Sequence, residues 1–129
     1  VELRQNYDKL QALGFQVIAI NPDTPENTAS TIERYKLPFT VLGNPPMKAA
    51  IDYGIAWRVE GRDEEYYEKL RKASGETHRI LLSPSYFILD TDGKIHFQFM
   101  NPNFRVRPSF DLMYAAAKMV KQQLDEQDD

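Results

Sequence analysis

The chain has 129 residues, a length expected of one domain and sufficient to bury a core. Its 42% hydrophobic and 27% charged residues are ordinary for a globular protein, and no apolar run approaches the roughly 18 residues of a membrane span. The net charge of −3 is more than accounted for by the acidic end DEQDD, so composition points to neither nucleic acid nor anionic lipid as a partner.

Leu3, Tyr7, Leu10 and Leu13 recur at helical spacing, with Gly14 as the stop, but no capping residue precedes Leu3. Phe15–Ile20 (FQVIAI) is short, apolar and largely β-branched, which predicts a buried strand of the parallel kind. Thr24 then caps a second helix opened by Pro25, carrying Ala29, Ile32 and Tyr35 and ending before Pro38. A strand is expected at Phe39–Leu42. Asn44 and Pro45 open a third helix, with Met47, Ala50 and Ile51 as its apolar side and Gly54 as its stop. The stretch from Ile55 to Leu82 is less patterned. Within it Asp63–Ala73 predicts an exposed helix, so residues 62–75 read as a helical insertion between sheet elements.

Tyr86–Leu89 is the next strand, and Asp92-Gly93 supplies hairpin turn residues. Ile95, Phe97 and Phe99 alternate with His96, Gln98 and Met100, which predicts a half-buried strand with the first set inward. Ser109 caps a last helix with Met113, Ala116, Val120 and Leu124 as its buried stripe, and residues 125–129 form a solvated acidic tail. Early strand–helix alternation followed by a late hairpin gives an α/β fold: a mixed sheet with helices on both faces, in one domain over 1–129.

Several residue sets carry candidate chemistry. There is no cysteine, which excludes a disulfide framework, a thiolate metal site and a thiol nucleophile within these residues. FILDTDGK matches the strand-plus-Asp-x-Asp of aspartate-nucleophile phosphatases at Asp90, yet Lys94 stands where that superfamily has threonine and only one helix follows the hairpin. The same residues read more simply as a turn. As a calcium loop they fail, because the glycine falls at the fourth position and Asn101 at the twelfth. His78 and His96 lack ligand spacing, so neither a metal nor any other cofactor is expected. Arg105 and Arg107 fall on the same side of an extended segment, as an anion or pKa-lowering pair or as surface charge. Trp57 lines a pocket or packs. Pro84 directly precedes a strand, where a ladder position would cost it a hydrogen bond; a tight, cis Ser83–Pro84 bond is one explanation.

Four stretches, GFQVIAINPDTPE, YGIAWRVE, SGETHRILLSPSYFILDTDGKIHF and NPNFRVRPSFDLMYAA, together resemble the peroxiredoxin-like branch of the alkyl hydroperoxide reductase and thiol-specific antioxidant family. The resemblance covers essentially the whole chain. It implies a thioredoxin-like fold and an antioxidant, redox function: a thiol-dependent peroxidase or thiol-disulfide oxidoreductase. It implies that Pro84 is the cis-proline facing the redox cysteine, beside Ser83 and Trp57 in the substrate groove. Arg107, with Arg105 less securely placed, is implied to polarise cysteine and peroxide. It also implies that the cysteine-bearing segment and the first strand belong just before VELRQ, so that these residues alone are inactive and the first helix lacks its beginning. The partners implied are a peroxide or disulfide and a thiol reductant, with a homodimer as one assembly; nucleic acid and membrane are not expected. No signal peptide is visible, which makes the cytoplasm the expected location, although targeting information could lie upstream of Val1. A redox-inactive thioredoxin-like module that binds a partner is the alternative.

Overall fold

The computed structural model describes residues 2–43, 46–103 and 105–128. In chain order the elements are α1 (Glu2–Ala12), β1 (Ile18–Asn21), α2 (Pro25–Tyr35), β2 (Thr40–Gly43), α3 (Lys48–Asp52), β3 (Ala56–Arg58), α4 (Glu64–Ser74), β4 (Ile80–Leu82), β5 (Ser85–Leu89), β6 (Ile95–Met100) and α5 (Phe110–Gln127). They fall into two compact units, Val1–Val17 with Pro84–Asp129, and Ile18–Ser83. Among the described residues the strands form three two-stranded ladders, β1–β2, β3–β4 and β5–β6, the first parallel and the others antiparallel.

In the first unit α1 and α5 pack together with the β5–β6 hairpin. The core is Leu10, Ile88, Phe110, Ala116, Ala117 and Val120, with Phe15 and Val17 packed against it. The strand expected at Phe15–Ile20 is therefore divided. Gly14, at φ +90°, turns the chain out of α1, Phe15 and Val17 join this core, and ladder pairing starts only at Ile18, opposite Thr40. The buried stripe of α5 lies where its spacing puts it, with Ser109 as N-cap accepting from the Leu112 N–H at 3.2 Å. The acidic end is not a loose tail as far as Gln127: Lys121–Asp125 (2.6 Å) and Gln122–Glu126 (3.1 Å) pair one turn apart and continue the helix.

The β5–β6 ladder corrects the expected facing of β6. Ile88 pairs with Phe97 but Leu89 pairs with Ile95, so His96 is an extra residue at a bulge. The bulge breaks the alternation. Ile95 is 42% exposed, while the His96 side chain is only 11% exposed.

In the second unit α2 is the crossover between the parallel strands β1 and β2. Thr24 caps it, its hydroxyl accepting from the Asn27 N–H at 3.1 Å, and Lys36 ends it in the left-handed region. β1 and β2 are less buried than expected: Ile18, Ile20 and Leu42 are exposed. Helix α4 is capped by Asp63, which accepts from the Tyr66 N–H at 2.9 Å, and ends at Gly75. Strands β3 and β4, absent from the sequence reading, bracket it. The Ala73 carbonyl near the end of α4 is satisfied by the Thr24 N–H (3.1 Å) and by Asn27 Nδ2 (3.0 Å), which ties the end of α4 to the start of α2. Helix α3 is shorter than expected. Met47 precedes it at φ +62°, only 1% exposed, whereas Ile51 is exposed. Asn44 and Pro45, the expected start of α3, lie outside the described residues.

Candidate functional site

Pro84 stands at a junction of two ladders. The Ser83 N–H donates to the Ile55 carbonyl at 2.9 Å, which extends the β3–β4 pairing by one residue and leaves Ser83 buried. On its other side the Pro84 carbonyl accepts from the Asn101 N–H at 3.5 Å, one step beyond the Ser85–Met100 pair of the hairpin. The proline therefore sits at the mouth of β5, where its missing N–H breaks no bond of the ladder. The Ser83–Pro84 bond is trans, contrary to the expected cis-proline. Trans is the isomer that X–Pro bonds favour, by about 0.5–1 kcal/mol.

Because β5 and β6 are antiparallel, the segment after β6 returns to the Pro84 end of the hairpin. It forms consecutive Asx turns. Asn101 Oδ1 accepts from the Asn103 N–H (2.9 Å), Asn103 Oδ1 from the Arg105 N–H (3.1 Å), and the Asn103 carbonyl from the Val106 N–H (2.9 Å). Arg105 is thus in a turn and not on the extended segment expected of it. Arg105 and Arg107 are both exposed, and Arg107 lies two residues before the α5 cap. Pro84, Arg105 and Arg107 all belong to the first unit. Trp57, paired with Leu81, and Ser83 lie on the β3–β4 ladder of the second unit.

The LDTDGK stretch occupies the opposite end of the hairpin. Asp90 Oδ1 accepts from the N–H groups of Asp92 (2.9 Å) and Lys94 (3.0 Å), and its Oδ2 lies 2.8 Å from His96 Nε2. The His96 bond, followed by the Lys94 N–H, holds the Asp90 carboxyl below its usual value. Gly93, at φ +85°, closes the turn onto the Asp90 carbonyl. Both carboxylate oxygens are engaged in holding the turn, a poor state for the nucleophile that the phosphatase reading needs. The Asp90–His96 bond itself escaped the sequence reading, which placed His96 outward; the only available signal was the six-residue spacing across an Asp-Gly turn. The His78 Nδ1 accepts from the Ile80 N–H at 3.4 Å. Among the described residues no three His, Cys, Asp or Glu side chains gather as a metal site.

The architecture defines a class first. The crystal structure of a cysteine-to-serine mutant of peroxiredoxin 6 of Arenicola marina matches 92% of this chain and 51% of its own, with a TM-score of 0.72 at 15% identity. The fold is thioredoxin-like. The AhpC/TSA family description matches residues 1–98, and the chain belongs to that family. Peroxiredoxin Bcp of Escherichia coli (strain K12) is 30% identical over 97 residues, 75% of this chain and 54% of that protein. A putative peroxiredoxin bcp of Haemophilus influenzae is 38% identical over 53 residues, 41% of this chain and 34% of that protein. The chain thus spans about half or less of the length of these relatives. The family match includes Trp57, Ser83 and Pro84 and stops short of Arg105 and Arg107. No helix among the described residues is long and apolar enough to cross a membrane.

Proposed function

We propose that the protein containing this chain is a thiol-dependent peroxidase whose reactive cysteine lies outside these 129 residues. The observation that carries this reading is the family match over residues 1–98, joined to a chain without cysteine. Peroxidase is preferred to disulfide reductase because the relatives are named peroxiredoxins.

In this reading a cysteine thiolate attacks one oxygen of the peroxide. The S–O bond forms as the O–O bond breaks, and the electron pair leaves with the other oxygen, which takes a proton. The sulfenic acid then condenses with a thiol to a disulfide, releasing water, and a further thiol restores the cysteine. From this chain Arg107 supplies positive charge that favours the thiolate over the thiol and the charge developing on the departing oxygen. Pro84 borders the groove with a backbone that offers no N–H, and Arg105, of the same unit, is a further candidate wall. A cytoplasmic location and a homodimer belong to the same proposal.

The test is peroxide consumption with dithiothreitol as reductant, run on the longer protein and on the 129-residue chain. Turnover by the first alone is expected. The absence of cysteine also favours a redox-inactive, partner-binding module; a longer protein that has no turnover and no cysteine ahead of Val1 would establish that reading instead.

A further inference from the structure

Between β6 and α5 the chain is held by two of its own asparagines. The Asn101 N–H donates to the Pro84 carbonyl at 3.5 Å, which ties Asn101 to the proline at the mouth of β5. Asn101 Oδ1 accepts from the Asn103 N–H at 2.9 Å. Pro102 stands between them, and its ring holds φ at about −65°, which narrows the conformations open to the turn. Asn103 repeats the device. Its Oδ1 accepts from the Arg105 N–H at 3.1 Å, and its carbonyl accepts from the Val106 N–H at 2.9 Å.

An unbroken chain of hydrogen bonds therefore leads from the Pro84 carbonyl to the Arg105 backbone, all within the first unit. Asn103 and Arg105 are both exposed, so burial does not hold this segment. Without the asparagine acceptors it would sample many conformations, and the arginine with it. Ordering the backbone beforehand spares that entropy cost when a substrate arrives.

We propose that Asn101 and Asn103 are positioning residues: they fix the backbone from which the Arg105 guanidinium reaches the groove, and they act on the reacting cysteine through Arg105. The inference rests on the thiol peroxidase reading above. The test uses the longer protein, with two readouts: the reaction with hydrogen peroxide, and the pH profile of cysteine alkylation by iodoacetamide. Asn103→Ala should lower kcat/KM for hydrogen peroxide about tenfold, inside the roughly 10²-fold that misplacing a group by about 1 Å can cost. It should also move the alkylation profile to higher pH, because the thiolate loses a well-placed positive charge. Asn101→Ala should act in the same direction. Asn103→Ser keeps a weaker turn-forming acceptor and should recover part of both effects. In an Arg105→Ala background Asn103→Ala should add little, since the two act as one unit. Thr24→Ala removes a comparable bond at the start of α2 and should leave both readouts unchanged. An unshifted profile with full activity in Asn103→Ala, an Arg105→Ala without effect, or two effects that add in full overturns the positioning role and leaves the peroxidase reading standing. A longer protein with no reactive cysteine overturns both.

Discussion

Two aspartates show how position alone sets the sign of a carboxylate's effect. Asp90 is held below its usual value of 3.8 by His96 and the turn N–H groups, so the folded chain binds its proton less readily than the unfolded chain. Its contribution to stability is present above pH 3.8 and is lost as the pH falls through the lower folded value. Urea unfolding between pH 2.5 and about 6 should show a steeper acid loss in the native chain than in Asp90→Asn. Asp23 is the opposite case. Burial raises it above 3.8, so its contribution is present below 3.8 and is lost as the pH rises through the folded value. Asp23→Asn should remove that loss, and the gain over the native chain should grow from pH 3 to about pH 6. Tyr86 stacks on Phe97 and Phe99 with a buried hydroxyl that has no hydrogen-bond partner among the described residues. Tyr86→Phe removes that group and keeps the ring, and should raise unfolding stability by about 1 kcal/mol. The Asp-Gly turn is plain in the sequence. The inward turn of His96 is not, because a bulge depends on the register of two strands and not on one strand's alternation.

At the scale of elements, the starts of α2 and α5 were legible because caps are local: Thr24 and Ser109 each accept an N–H three residues on, within their own stretch of chain. Thr24→Ala should cost about 1 kcal/mol, read as a shift in the urea midpoint at constant slope. Strands β3 and β4 were not legible. Each is three residues long, too short for a period to show, and each exists only by pairing with the other across α4. Close approaches between elements are similarly invisible in sequence. A Cβ on Gly43 would lie 2.7 Å from the Asp23 carbonyl oxygen and 2.8 Å from Thr28 Oγ1. Thr28 is itself bonded to Asn21 Oδ1 at 3.0 Å and buried, so the wall cannot withdraw freely. Gly43→Ala should therefore destabilise by about 1–3 kcal/mol, whereas Gly54→Ala meets no atom within 4 Å and should cost only its backbone strain.

For the whole molecule, fold and family were legible because they rest on the order of several stretches, each weak alone. The site was legible only in part. Pro84 does mark a strand mouth, but its bond is trans, and Arg105 sits in an Asx turn that alternation could not foresee. The nucleophile that the proposed function requires could not be read at all from residues that include no cysteine. The central claim is that a cysteine outside this chain reacts with peroxide beside the Pro84 end of the hairpin. Dimedone labelling of the longer protein, followed by peptide mass spectrometry after one equivalent of hydrogen peroxide, tests it most directly. The account predicts a sulfenic acid adduct on a single cysteine preceding Val1, with slower adduct formation in Arg107→Ala. A longer protein that forms no adduct and leaves the peroxide unconsumed would contradict it.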